Sequence, residues 1–333
     1  MIVPVLNGER TIAAAIDSAL AQQFDGDLEV VVVNDGSNDG TAAVLDLYGS
    51  RVTVIVSDNR GQAAARNAGV RASHGEWIAF LDADDVWLPD KLARTVTALE
   101  ANPDATLVYS DAEKIDAGGR RLGATCTPDA QNRAPSMSDV LTAAWNILPS
   151  TIVMSRAAFD RVGGFCEEFG RHPKWEDTWF TIAAREHGPF VYLAEPTVLY
   201  RVPDTAAQDL ERRGIWKPGA ADAQAMRLER YLECSELIQR LARERFGDRA
   251  LRLRREIRKA TSNLLVAAGL TAMVAGDRVS ARRAYGNALR YRPLDPKIYL
   301  RLAWTLLPAG AARAIAAVLP PKLHRAVSGP ARA

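Results

Sequence analysis

Four short stretches bring together side chains that could do chemistry. The first is Phe80-Leu81-Asp82-Ala83-Asp84-Asp85, where three carboxylates crowd into four residues behind an apolar run. Like charges this close repel, and a divalent cation is the simplest relief. Oxygen-only donors suit Mg2+ or Mn2+, which keep waters and bind through one or two carboxylates together with phosphate oxygens. An Asp-x-Asp at a strand end therefore suits a nucleoside diphosphate. The plain alternative is a helix cap, with Asp85 closing the turn that leads into Pro89.

The second stretch is Val33-Asn34-Asp35-Gly36-Ser37-Asn38-Asp39-Gly40-Thr41. Asp35, Ser37, Asp39 and Gly40 half match a calcium loop, but Asp46 stands where the bidentate Glu belongs. The preceding segment is also a valine run rather than a helix, so calcium is rejected. Asp35 is instead placed to accept hydrogen bonds from a base ring, and Asp39 to cap the next helix. In the third stretch, Asn59 to Gly69, Arg66 stands on a helix otherwise built of small residues. Such a helix can lie close to a sheet, which makes Arg66 either a fixed cation near a nucleotide or one arm of a surface salt bridge. The fourth is Trp175-Glu176-Asp177-Thr178-Trp179-Phe180. By themselves Glu176 and Asp177 read as an ordinary acidic pair at a helix N-terminus.

These side chains need elements to hold them, and the first hundred residues alternate strand and helix signals. Apolar or β-branched runs at 2–6, 29–33, 52–56 and 77–81 predict strands. Helical spacing over 11–23, 41–47, 61–73 and 89–101 predicts helices, the last with Pro89 near its first turn. The alternation predicts an α/β fold with a doubly wound, mainly parallel sheet. Ligands of such sheets lie outside the carboxyl ends of the strands, where Asp35 and Asp82 to Asp85 fall.

From about residue 206 the character changes to an Ala-, Leu- and Arg-rich helical region. The reading is a catalytic domain over 1–205 and a helical region over 206–333. Within that region, 263–299 has the flavour of one tetratricopeptide-like helical pair. A single such unit cannot bury its own face, so a helical cap is the favoured reading.

Bulk properties bound the rest. The 333 residues are 48% hydrophobic and 25% charged, an ordinary globular mixture with a sizeable core. A net charge of +2 makes no case for nucleic acid as a partner. Nine basic residues between 240 and 259 could face anionic lipid or simply coat a solvated helix. Cys126, Cys166 and Cys234 are scattered and odd in number, which argues for a reducing compartment. No basic leader precedes the first apolar run, and no stretch reaches the ~18 apolar residues of a membrane span. The expectation is a cytoplasmic protein.

In order along the chain, Ile2-Val3-Pro4-Val5-Leu6-Asn7, Val33-Asn34-Asp35-Gly36-Ser37, Ala65-Arg66-Asn67, Leu81-Asp82-Ala83-Asp84-Asp85 and Pro89-Asp90-Lys91-Leu92 resemble the family 2 glycosyltransferases, which have the GT-A fold. The resemblance runs over roughly residues 1–203 and includes the Glu-Asp pair at 176–177. It implies inverting transfer of a sugar from a nucleotide-diphosphate sugar, UDP first, to an acceptor hydroxyl. Pro4, Asp35, Arg66 and Asp82 would hold the donor nucleotide, with Asp35 at the base and Asp82 near ribose and diphosphate. Asp84 would bind Mn2+ or Mg2+, with Asp82 and Asp85 as further candidates. Asp177 would be the general base, and Glu176 and Trp175 would support it or the acceptor. Family members often carry a His shortly after a Tyr-Arg pair. Here Val202-Pro203 follows Tyr200-Arg201, so water and diphosphate would complete the metal's shell. His172 and His187 are read as structural or surface residues.

The resemblance further implies work in bacterial surface polysaccharide synthesis, on a glycan or lipid-linked glycan acceptor, with peripheral contact on the inner face of the membrane. Two alternatives differ in class. A sugar nucleotidyltransferase would need a Gly-rich basic loop after the first strand, where Asn7-Gly8-Glu9-Arg10 stands instead. A non-catalytic scaffold using the helical C-terminus sits badly with intact Asp82, Asp84 and Asp177.

Overall fold

The computed structural model describes residues 1–126, 147–170, 175–202, 223–248, 253–274 and 276–307. The chain divides into two compact units, Met1–Trp216 and Lys217–Ala333.

In the first unit the predicted alternation is present: β1 (Ile2–Val5), α1 (Ile12–Leu20), β2 (Val31–Asn34), α2 (Thr41–Asp46), β3 (Thr53–Val56), α3 (Gln62–Ala72), β4 (Trp77–Ala79), β5 (Val86–Trp87) and α4 (Lys91–Glu100). There follow β6 (Leu107–Ile115), β7 (Arg121–Thr125), β8 (Val153–Ser155), α5 (Arg156–Val162), α6 (Glu176–Arg185) and β9 (Phe190–Arg201). β1, β2 and β3 pair in parallel. On the other side of β1, Phe80 forms a parallel bridge to Ile2, and the Leu81 amide donates to the Ile2 carbonyl at 3.0 Å. The order 3-2-1-4 reverses direction beside β1, the switch point at which doubly wound sheets hold ligands.

Beyond β4 the sheet becomes mixed. β8 runs antiparallel to both β4 and β6, β5 runs antiparallel to β9, and β6 pairs in parallel with β9. The parallel character read from the sequence thus covers the first four strands and the β6–β9 pair. The return strands come from distant segments whose direction no local periodicity encodes.

Alternation along β1 and β2 puts a different set of side chains on each face. Val3, Val5 and Val32 join Ile12, Ile16 and Leu45 in one core, while Ile2 and Val31 join Ala63, Val70 and Phe80 in the other. Helix α3 lies very close to the sheet: a Cβ on Gly69 would stand 2.4 Å from Ile2 Cγ2. The small residues of this helix allow that approach, and it carries Arg66 to the strand ends.

The second unit holds α7 (Ala223–Phe246), α8 (Arg254–Val274), α9 (Arg278–Tyr291) and α10 (Pro296–Leu306). Asp277 caps α9 by accepting from the Ser280 amide, and Asp295 caps α10 by accepting from the Lys297 amide, both at 2.9 Å. Leu265, Ala281, Tyr285, Ala288 and Ile298 form its core. The predicted helical pair at 263–299 spans the end of α8, all of α9 and the start of α10. The predicted domain boundary near 206 and His172 lie outside the described residues. No described helix is long and apolar enough to cross a membrane. Cys126, Cys166 and Cys234 form no disulfide, and His187 is exposed just past α6.

Candidate active site

A crevice opens at the carboxyl ends of β1, β2 and β4. Its wall includes Pro4, Asp35, Arg66, Asp82, Asp84, Glu176 and Asp177, so side chains from five separate segments converge there.

Arg66 is the centre of this arrangement. Its side chain is 1% exposed, and its Nη2 donates to Asp82 Oδ1 at 2.7 Å. Nη1 lies 3.6 Å from Glu176 Oε1, and the guanidinium sits 5.1 Å from the centroid of the Phe165 ring. Burial opposes its charge, but Asp82, Glu176 and Asp177 outweigh that cost and hold its pKa above the ordinary value. One buried cation therefore binds the Asp-x-Asp turn to the Glu-Asp turn. Its Nε and Nη1 make no hydrogen bond among the described residues, although Nη1 faces the Glu176 carboxylate.

Asp35 ends β2 and is buried. Its carboxylate accepts from Ser57 Oγ at 2.6 Å and from the amides of Arg60 and Gly61 at 2.8 and 2.7 Å. These bonds fold the Ser57–Gly61 loop over the strand ends, with Asn59 and Gly61 at positive φ. An ionised carboxylate offers about four acceptor positions, so one stays open for a base N–H. The neighbouring rim escaped sequence reasoning. Asn7, also at positive φ, accepts from the Asn38 amide through Oδ1, and the Gly8 amide donates to Thr41 Oγ1, both at 2.9 Å. The Asn-Gly dipeptide after β1 was the available signal.

The acidic turn divides its labour. Asp82 and Asp84 line the crevice, but Asp85 is buried and turns inward. Its Oδ2 accepts from Ser150 Oγ at 2.6 Å, and its Oδ1 accepts from the Arg201 amide at 3.0 Å. Burial, then the neighbouring Asp82 charge, pushes its pKa up to about 7. This corrects one expectation, since the Asp85 oxygens accept from Ser150 and Arg201 rather than capping the turn toward Pro89, and burial keeps Asp85 out of the crevice wall that Asp82 and Asp84 line. Arg201 completes the brace by donating from Nε to the Asp84 carbonyl at 2.9 Å and from Nη1 to the carbonyls of Asp116 and Ala117.

Beneath the turn lies Lys91, fully buried. Its Nζ donates to the Thr151 carbonyl at 3.0 Å and stands 5.2 Å from the Trp87 ring centroid, while Trp87 Nε1 donates to the Ser150 carbonyl. Burial lowers the Lys91 pKa to about 7. Its place in the brace was invisible in the sequence.

Asp177 opens α6, where the helix N-terminus favours a carboxylate. The Thr178 amide donates to its Oδ1 at 2.6 Å. Trp175 just before it has φ 94°, a left-handed conformation costly for a bulky residue. Trp175 is buried and is not among the residues of the crevice wall.

The donor set fits a hard divalent cation: Asp82 and Asp84 offer oxygen alone. Among the described residues no group of three or more His, Cys, Asp or Glu surrounds a common point. A cation here would draw its remaining ligands from phosphate and water, the habit of Mg2+ and of similar ions.

Residues 1–162 match the family model described as glycosyl transferase family 2. This part of the chain belongs to that family. An uncharacterized glycosyltransferase of Rickettsia prowazekii is 31% identical over 187 residues, covering 54% of this chain and 57% of that protein. The succinoglycan biosynthesis protein ExoO of Rhizobium meliloti is 42% identical over 123 residues, covering 36% of this chain and 35% of ExoO. The chain thus spans a little over half of the first relative and about a third of the second. Crystalline S. aureus TarS 1–349 in complex with UDP-GlcNAc superposes with a TM-score of 0.53 at 17% identity, covering 88% of this chain and 90% of that one. That likeness is one of fold, and the fold of the family 2 unit is GT-A.

Proposed function

We propose that this protein is an inverting glycosyltransferase that moves a sugar from a nucleotide-diphosphate sugar, UDP-linked by preference, to an acceptor hydroxyl. The observation that carries the reading is the convergence of Asp82, Asp84 and Asp177 on one crevice around buried Arg66. Pro4 and Asp35 hold the base end of the donor, with Arg66 and Asp82 at ribose and diphosphate. Asp84 would hold a divalent cation, Mn2+ or Mg2+, which when bound would offset negative charge on the departing diphosphate. Asp177 takes the proton from the acceptor hydroxyl as its oxygen bonds to the anomeric carbon and the bond to diphosphate breaks. One displacement needs no covalent enzyme intermediate and inverts that carbon. Glu176 stays paired with Arg66 and fixes the turn that presents Asp177.

The ExoO similarity supports a setting in polysaccharide synthesis. A glycan or lipid-linked glycan on the cytoplasmic side as acceptor is part of the same proposal. The testing experiment is a thermal-shift panel of nucleotides and nucleotide sugars with and without Mn2+. One nucleotide-diphosphate sugar should raise the melting temperature, more with metal than in excess chelator. No shift with any nucleotide sugar would overturn the proposal.

A further inference from the structure

The overall charge of +2 conceals a separation. Residues 217–333 hold 23 Lys and Arg against 9 Asp and Glu, a net of +14, whereas residues 1–216 hold 19 against 31, a net of −12. Even if every acidic residue of the C-terminal unit paired with one basic residue, 14 positive charges would remain over. That surplus calls for an anionic partner.

The hairpin of α9 and α10 shows what kind. One side of α9 buries Ala281, Ala284, Tyr285 and Ala288, which turns Arg282, Arg283 and Arg290 outward. Leu294 in the connecting turn is 92% exposed, and Leu306 near the end of α10 is 65% exposed. Tyr299 and Leu300 are exposed between them, beside exposed Lys297. Arg278 donates to the Leu307 carbonyl, so exposed Val279 and Leu306 share one end of the hairpin.

Exposed aliphatic side chains among arginines distinguish between anionic partners. A nucleic acid would use the positive charge but gain nothing from bare leucines. An anionic bilayer uses both, since lipid phosphates meet the arginines and the apolar side chains enter the headgroup boundary. We propose that the α9–α10 hairpin docks on an anionic lipid surface, with Leu294, Leu300 and Leu306 inserting between headgroups. This inference does not rest on the transferase reading, because its test measures no activity.

The test is co-sedimentation of the full chain with vesicles of phosphatidylcholine alone or of equimolar phosphatidylcholine and phosphatidylglycerol. The expected result is about tenfold or greater preference for the anionic vesicles, weakening as salt shortens the Debye length. Two paired variants, Leu300→Asp with Leu306→Asp and Arg282→Glu with Arg283→Glu, should each lower that binding about tenfold while keeping the parental melting temperature. Leu294→Asp, at the most exposed position, serves as a third variant should either pair unfold. Several results would overturn the proposal: equal retention on neutral vesicles, no retention on anionic ones, or variants that bind like the parent. So would tighter retention by single-stranded RNA, or self-association that the paired leucine variant abolishes.

Discussion

The two turns that face each other across the crevice are held in different ways. The Asp82–Asp85 turn rests on a brace of fully engaged groups: Asp85 accepts from Ser150 and the Arg201 amide, Arg201 grips the Asp84 carbonyl, and Lys91 and Trp87 hold the 150–151 backbone from below. The Trp175–Asp177 turn combines a left-handed tryptophan with a 3.6 Å ion pair between Glu176 and Arg66. Both turns share the Arg66 guanidinium, but the donor side adds a brace of hydrogen bonds and the base side adds backbone strain. The difference teaches where rigidity and reactivity are divided. A metal and diphosphate need carboxylates placed in advance, whereas a base needs a carboxylate whose outer oxygen is free to meet a proton.

The sharpest break of this comparison is Asp177→Asn. It should lower kcat by roughly 10²–10⁴, the usual worth of a general base, while nucleotide affinity measured by calorimetry stays at the parental value. Transfer at the parental rate would remove Asp177 from the mechanism. Next comes Asp84→Ala, which should cost on the order of a hundredfold in nucleotide-sugar affinity with Mn2+ present and little in excess chelator. A variant that keeps the full metal response would shift the cation to other ligands.

The brace itself is tested by Asp85→Ala. Loss of that acceptor leaves the Ser150 O–H and the Arg201 N–H without the acceptor they now share, so chemical denaturation should show a loss of about 1–3 kcal/mol. An unchanged midpoint would mean that the brace contributes nothing.

The mildest test at neutral pH concerns Lys91. Its folded pKa, about 7, lies below the ordinary 10.5, so between those values the unfolded chain binds more protons than the native one. Stability from this group therefore rises with pH across that window and is at its lowest below it. The melting temperature of the parent should gain on that of Lys91→Met as pH climbs from about 7 to about 10. Parallel curves would show that Lys91 is not buried as described.

Much of this was legible in the chain alone. The four βα repeats follow from short-range apolar periodicity, and each strand and helix from β1 to α4 lies within a few residues of its reading, except the two-residue β5, which had no reading. Asp35, Asp82 and Asp84 were legible as crevice residues for a related reason: a carboxylate at the end of a buried strand has no place in the core and must meet donors or a cation. Asp177 came from family resemblance rather than from local chemistry, since an acidic pair at a helix start is commonplace. The C-terminal charge surplus was also in the sequence, but only the boundary between compact units makes it a net of +14.

Tertiary structure alone decided which of three adjacent aspartates turns inward. Asp82, Asp84 and Asp85 are equivalent as a string, and the choice lies with Ser150 and Arg201, 65 and 116 residues further on. The same holds for Arg66, whose burial between Asp82 and Glu176 no segment reveals, and for the antiparallel return strands. Periodicity records whether a side chain faces water or protein within its own element. Pairing of buried polar groups depends on which distant segment arrives beside them, and that is settled only when the chain has closed.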